Sequence, residues 1–291
     1  MAGQAYRLRM KCSIAPAPSL GAELDPSVAD FYRRVLSALT SARIPFLVGG
    51  AFAHACHTGI RRATKDLDLF IRRADYERIA RVALHHGWQA DLVYPHWLAK
   101  IRSGPQFIDL IFNSGNGLAP VDKHWFHANS RTDILDVRVR IANVEDVLLS
   151  KAFLMERERF DGGDVVHLLQ THAERIDWER LLARFGPHWR VLLVHLILYG
   201  YIYPGERHRI PGWAMRRLTA HLSDEIRDPP TSIEHVCRGT FLSREQYLYD
   251  IEQLGYRDAR LARAGSMTKR EVAEWTQAIP AEHVGHGSPN T

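Results

Sequence analysis

The sequence predicts an α+β fold: a mixed-sheet domain with flanking helices over residues 25–142, followed by an all-helical domain over 143–280. Three observations carry this. Up to residue 87, stretches with helical spacing alternate with short apolar strands. Three or four further strand-like runs follow before residue 142. Beyond Asn143 nearly every segment has helical periodicity. Residues 1–24 lack clear periodicity, with Ala15-Pro16-Ala17-Pro18 extended, and read as a flexible segment, while 281–291 read as a disordered tail.

In chain order, Asp25-Pro26 is a helix start, with Asp as N-cap and Pro at the first helical position. The helix should reach about Ala42, turning Val28, Phe31, Val35, Leu36 and Leu39 inward. Phe46-Leu47-Val48 opens a strand that ends at Gly49-Gly50, and a helix over 51–57 should stop near Gly59. A second strand covers 66–71, where two carboxylates alternate with leucines. Helical spacing returns over 74–86 and stops at Gly87. Strands are expected over 88–94, 97–102, 106–112 and 137–141. In the second half, Asn143 should cap a helix with Asp146 at the capping-box position. Helices follow over 144–158, 161–173, 176–185, 188–200, 211–223, 243–254 and 268–278, punctuated by Pro and Gly.

With 291 residues, 46% hydrophobic and 24% charged, the chain has the makeup of a globular protein able to bury a sizeable core. Its net charge of +5 and pI near 9.2 lean toward a polyanionic partner. Cys12, Cys56 and Cys237 are odd in number and far apart, which predicts a reducing cytoplasm. No apolar run of signal-peptide length follows Arg7, Arg9 and Lys11. The apolar stretch 191–203, interrupted by His195, is too short to span a bilayer and reads as a buried core helix, so no membrane partner is expected. His54, Cys56 and His57, spaced two and one apart on one short helix, cannot converge on zinc.

The chemistry centres on residues 46–71. Side chains on a strand alternate between its faces, so Asp66 and Asp68 share one face and Leu67, Leu69 and Ile71 the other. Two carboxylates so close raise each other's pKa unless a cation sits between them. An all-oxygen site with few protein ligands suits Mg2+ held jointly with substrate phosphates, with Mn2+ as the other candidate. Asp109 is the lone carboxylate of the apolar strand Phe107 to Phe112 and must face a cation, a donor or water. Beside the Asp66/Asp68 strand it would complete a three-carboxylate site suited to phosphoryl transfer with two Mg2+ ions. Gly49-Gly50 at a strand-to-helix junction lets backbone N–H groups approach phosphate. Arg62, Thr64 and Lys65, just ahead of the carboxylates, are positioned to contact the triphosphate.

An apolar strand, Gly-Gly, a helix, Arg62-Ala63-Thr64-Lys65-Asp66-Leu67-Asp68 and a later strand Asp together resemble the nucleotidyltransferase superfamily typified by DNA polymerase beta, over roughly residues 28–115. The resemblance implies that Gly49 and Gly50 hold an NTP such as ATP. It further implies that Asp66 and Asp68 bind both Mg2+ ions, and that Asp109 contributes to the metal next to the attacking hydroxyl. Many members carry Gly-Ser; the Gly-Gly form resembles the tRNA-terminus-adding and abortive-infection toxin branches, the latter belonging to toxin-antitoxin pairs. The run from Lys151 through Arg159 and Asp161 to Asp164 is similar to a region of the same branches. That similarity implies a nucleotide-phosphate role for Lys151 and a cleft role for Arg159, Asp161 and Asp164. The expected reaction is Mg2+-dependent transfer of a nucleoside monophosphate from an NTP to a hydroxyl, with a tRNA or other RNA end as first acceptor. A small molecule such as an aminoglycoside, or a protein, is the alternative acceptor. A non-catalytic nucleotide-binding module on the same fold is the rival reading.

Overall fold

The computed structural model describes residues 24–61, 64, 66–157, 159–228, 235–243, 245–261 and 267–277. Arg62, Lys65, Cys12, the tail expected over 281–291 and the segment expected over 1–24 (apart from Leu24) lie outside these residues.

Helix α1 (Pro26–Ser41) begins where the Asp25 carboxylate accepts the Ser27 N–H at 2.8 Å, and it buries Phe31, Tyr32, Val35, Leu36 and Leu39. β1 (Leu47–Val48) leads into α2 (Gly50–Thr58), which closes on Gly59 at φ 73°. β2 (Asp68–Phe70) is shorter than the strand expected over 66–71, leaving Asp66 and Leu67 just ahead of it. α3 (Tyr76–His85), β3 (Gln89–Tyr94), β4 (Leu98–Ser103) and β5 (Gln106–Ile111) follow. These strands form one mixed sheet in the order β1-β2-β5-β4-β3, in which only β2 and β5 run parallel. Leu67, Leu69, Ile108 and Leu110 join the core residues of α1 and α3 on one face, which leaves the carboxylates for the other.

A separate hairpin, β6 (Arg131–Ile134) and β7 (Val137–Arg140), lies beside β1, with Ile141 bridging Val48. Polar Arg131-Thr132-Asp133 hides β6 in the sequence, and the turn holds Leu135 and Asp136 at positive φ, 49° and 64°. The twist of a two-residue hairpin demands that conformation. Arg33 on α1 donates to the Leu135 carbonyl at 3.3 Å and fastens the turn.

The second half is helical, with two short ladders inserted. α4 (Val144–Ala152) ends six residues earlier than expected. Beyond it, Phe153 and Leu154 lead into a two-stranded hairpin, β8 (Met155–Glu156) with β9 (Arg159–Phe160), closed by the Asp161 N–H donating to the Leu154 carbonyl. The apolar period of Val147, Leu148, Leu154 and Met155 conceals that break. Nor does the capping box form: Asn143 donates to the His127 carbonyl, and the fully buried Asp146 pairs with Arg180 at 2.5 Å. α5 (Gly162–His172), α6 (Trp178–Phe185), α7 (Trp189–Ile202) and α8 (Gly212–Arg227) follow. Then come β10 (Val236–Cys237), α9 (Leu248–Glu252), β11 (Arg257–Asp258) and α10 (Lys269–Gln277), with β10 and β11 paired in parallel. α9 keeps only five of the residues expected over 243–254.

Trp178–Ile202 is long and apolar enough to cross a membrane by length and composition. It folds as α6 and α7, broken by the 3-10 turn Gly186–His188. Leu192, Leu193, His195, Leu196 and Tyr199 are buried, but Val194, Ile197, Tyr201 and Ile202 are exposed, so the expected core helix is buried on one side only. An apolar core runs without interruption from α1 and the sheet through α4 to α8.

Candidate active site

Parallel pairing of β2 with β5 sets Asp68 opposite Asp109, and the Asp109 N–H donates to the Leu67 carbonyl at 3.0 Å. Asp66, two residues ahead of Asp68, joins them, and one carboxylate oxygen from each of the three lies within 4.8 Å of the others. Burial, followed by the charges of Asp66 and Asp109, pushes the Asp68 carboxyl up to about 7. Burial also raises Asp109, against the pull of the Lys100 ammonium. The pocket therefore holds more negative charge than its surroundings neutralise. Hard oxygen donors in that state fit Mg2+ or Mn2+.

Gly49 and Gly50 meet this site through their backbone. The Gly49 N–H donates to the Asp68 carbonyl at 2.9 Å, tying the end of β1 to β2. Gly50 opens α2 at φ 50°, and a Cβ on it would stand 1.6 Å from Asp68 Oδ2. Two independent facts thus require glycine here: the left-handed backbone and the carboxylate pressed against the helix start. Gly50→Ala is expected to displace the Asp68 carboxylate and lower stability by about 1–2 kcal/mol. Calorimetric Mg2+ titration should show weakened binding, and a thermal melt should show the loss.

Sequence reasoning missed two neighbours. Lys100 on β4 lies directly across from Asp109, donates to it at 2.5 Å and rests 3.9 Å above the Phe107 ring. Its only signal was a lysine inside the apolar run Leu98-Ala99-Lys100-Ile101. Tyr32 on α1 sits where burial and the charges of Asp66, Asp109 and Asp68 lift its phenol to about 12. Thr64 turns its hydroxyl back onto the Asp66 carbonyl and carboxylate, at 3.0 and 3.1 Å.

Lys151, in the last turn of α4, is buried and bound by two carboxylates: Asp161 at 2.8 Å and Asp164 at 2.5 Å. Asp161 stands at the N-cap of α5 but makes no side-chain cap; it serves Lys151 and Arg159 instead. Burial opposes its ionisation, yet those two cations hold its pKa below the ordinary value. Arg159, largely exposed on the β8–β9 hairpin, feels Asp161, Asp68 and Asp66, which raise its pKa against a partial loss of solvation. The tetrad of Lys151, Arg159, Asp161 and Asp164 thus borders the Asp66, Asp68 and Asp109 carboxylates electrostatically. Lys151 and Arg159 both pull the Asp68 pKa down. His54, on α2, gathers with Asp164 and His167 rather than with Cys56 and His57, and its Nε2 is 3.8 Å from Asp164 Oδ1.

A family model described as "Nucleotidyl transferase of unknown function (DUF2204)" matches residues 28–183, more than half of the chain. No curated protein matches significantly. Among solved structures, the antibiotic-resistance factor ANT(2'')-Ia aligns at 16% identity over 59% of this chain and 98% of its own, with a TM-score of 0.41. The lincosamide antibiotic adenylyltransferase LnuA, lincomycin-bound, aligns at 14% identity over 50% and 96%, with a TM-score of 0.35. An antigenic nucleotidyltransferase-like protein from Paracoccidioides brasiliensis aligns at 14% identity over 62% and 91%, with a TM-score of 0.42.

Proposed function

The chain belongs to that nucleotidyl transferase family, and on this premise we propose that it moves a nucleoside monophosphate from an NTP to a hydroxyl of an RNA end, releasing pyrophosphate, with Mg2+ as the divalent ion. The observation that carries this reading is the convergence of Asp66, Asp68 and Asp109 with an uncompensated charge at Asp68.

In this reading Asp66, Asp68 and Asp109 hold the metal, which when bound supplies Lewis-acid stabilisation of the triphosphate and of the entering oxygen. The chain's own groups do the rest by position and charge. The start of α2, bare of side chains at Gly49 and Gly50, brings backbone N–H groups and the positive helix end to the phosphates. Arg62, Thr64 and Lys65, which precede Asp66 in the sequence, are assigned further contacts to the triphosphate. Lys100 shares Asp109 with the cation and sets how much of its charge is available. Arg159, on the exposed strand β9, draws the triphosphate inward, while Lys151 holds Asp161 and Asp164 in place. The helical half from residue 143 serves as the acceptor-binding domain.

The test incubates the protein with Mg2+, each α-labelled NTP, and pools of tRNA, aminoglycosides and protein, reading label incorporation and pyrophosphate release. Incorporation into RNA that disappears in Asp66→Ala/Asp68→Ala supports the proposal. Absence of any Mg2+-dependent NTP binding by calorimetry would overturn it. The Asp68 carboxyl near 7 adds a pH signature. Below that value it carries a proton the cation must displace, so Mg2+ affinity should fall as pH drops from 8 to 6. Calorimetry in buffers of different ionisation enthalpy should detect the released proton.

A further inference from the structure

Two concavities meet on the side of the sheet away from the carboxylates. One, of about 300 Å3, lies among the end of α1, the residues leading into β1 and the β6–β7 hairpin, and is lined by Arg43, Arg131, Arg138 and Arg140. The other, of about 790 Å3, runs between α1 and α3 and is lined by Arg33, Arg34, Arg78 and Arg81 together with His85 and His86. Ile44 lines both, so the two adjoin. Its lining carries eight arginines and not one aspartate or glutamate. The whole chain, by contrast, has 38 Lys and Arg against 33 Asp and Glu. So nearly balanced a composition gives a mixed face unless charge is segregated there.

Four of the arginines are paired with carboxylates outside the concavities: Arg33 and Arg34 with Asp30, Arg78 with Asp75, and Arg138 with Asp133. Among the described residues, Arg43, Arg81, Arg131 and Arg140 show no carboxylate partner. Arg131 and Arg140 are directly opposite each other on the hairpin ladder. Like charges in that relation repel and destabilise the pairing unless an anion lies between them. Arg43 stands at φ 53°, a left-handed position where glycine or asparagine is less strained. The larger aromatic side chains nearby, Phe46 and Trp88, are buried at 7% and 5% exposure, so the exposed rings on this surface are the imidazoles of His85 and His86. Eight guanidinium groups against two imidazoles make this chiefly a phosphate-binding surface, whose contacts hold the backbone rather than read sequence.

We propose that this arginine face of α1, α3 and the β6–β7 hairpin binds the phosphodiester backbone of a nucleic acid, at a site separate from the nucleotide cleft. The identity of the nucleic acid as acceptor rests on the transfer reading above; the binding itself does not. Because the sheet and its helices stand between this face and the carboxylates, one molecule engaging both must wrap around the domain.

Fluorescence anisotropy without Mg2+ or NTP would test this, with labelled tRNA, a 20-base-pair DNA duplex and a poly-glutamate chain as probes, between 50 and 300 mM salt. The tRNA should bind with a log–log salt slope near −3, from about four phosphate contacts. Arg131→Glu/Arg140→Glu should weaken it at least 10-fold and flatten the slope by about 1–2. Arg131→Gln/Arg140→Gln, checked for folding by circular dichroism, should weaken it about 5-fold and shares the prediction if the charge reversal fails to fold. DNA binding as tightly as tRNA would support the proposal, because a backbone site contacts the phosphates that both share. Unchanged tRNA affinity in the folded arginine variants, or poly-glutamate binding as tightly as tRNA, would overturn the proposal. No step of the test uses catalysis, so it can fail while nucleotide transfer stands, and the reverse.

Discussion

Asp68→Asn should reduce nucleotide incorporation by about 10³-fold or more while making the metal-free protein harder to melt. The two effects have one cause. Asp68 lies among Asp66 and Asp109 with its carboxyl pushed up to about 7, whereas in the unfolded chain it has the ordinary value of 3.8. Below pH 4 it is protonated in both states and has no electrostatic effect on folding. As pH rises from 4 to 7 the unfolded chain releases its proton and the folded chain retains it, so folding becomes progressively less favourable. Above 7 the full penalty remains. Asparagine removes that penalty but supplies one neutral oxygen where the cation needs a charged one. With the carboxylate partly exposed, the gain at pH 8 is on the order of 2 kcal/mol, or about 4–8 °C in Tm. Melting curves at pH 5, 6.5 and 8 should therefore show the variant drawing ahead of the wild type as pH rises. Saturating Mg2+ should close the gap by stabilising only the wild type. Equal melting of both proteins at pH 8 without metal would mean that Asp68 is not the strained charge described here.

What could be read from the sequence followed the range of the interaction. Asp66 and Asp68 are two residues apart on an extended segment, so their common face follows from the strand period alone. Asp109 was found because a carboxylate in Phe107 to Phe112 is chemically out of place, although its partnership with Asp68 depends on β2 and β5 running parallel, which no local pattern encodes. Lys100 escaped notice because its importance depends on the β4–β5 register. The arginine face is drawn from three separated segments, so its density is invisible along the chain. Local rules failed where a distant partner prevailed. Asp146 fits a capping box, but Arg180, 34 residues away, takes its carboxylate. The helical period through Leu154 and Met155 gives way to a hairpin that carries Arg159 toward Asp68.

The Lys151 tetrad yields the largest stability prediction. Lys151 is buried with its ammonium between Asp161 and Asp164, so Lys151→Met takes from two carboxylates the buried cation they share. Removing one partner of such a buried group costs about 3–5 kcal/mol, while replacing the group as a whole is nearly neutral. Urea denaturation of the nucleotide-free protein should show that loss for Lys151→Met, and Lys151→Met/Asp164→Asn should recover at least half of it. The pH dependence has a definite sign. Asp161 is held below its ordinary pKa, burial being outweighed by Lys151 and Arg159, so its contribution to stability is present above that ordinary value and vanishes as pH falls through the depressed one. Without Lys151 the burial effect dominates and its pKa rises. The deficit of Lys151→Met should accordingly be greatest at pH 8 and shrink toward pH 5, where the stranded carboxyl takes up a proton. Activity then separates structure from chemistry. If Lys151 only holds the helix end of α4 to the start of α5, the double variant regains incorporation along with stability. If its charge also lowers the field at Asp68 and the triphosphate, the double variant folds well and remains inactive, with the greater loss in kcat rather than KM.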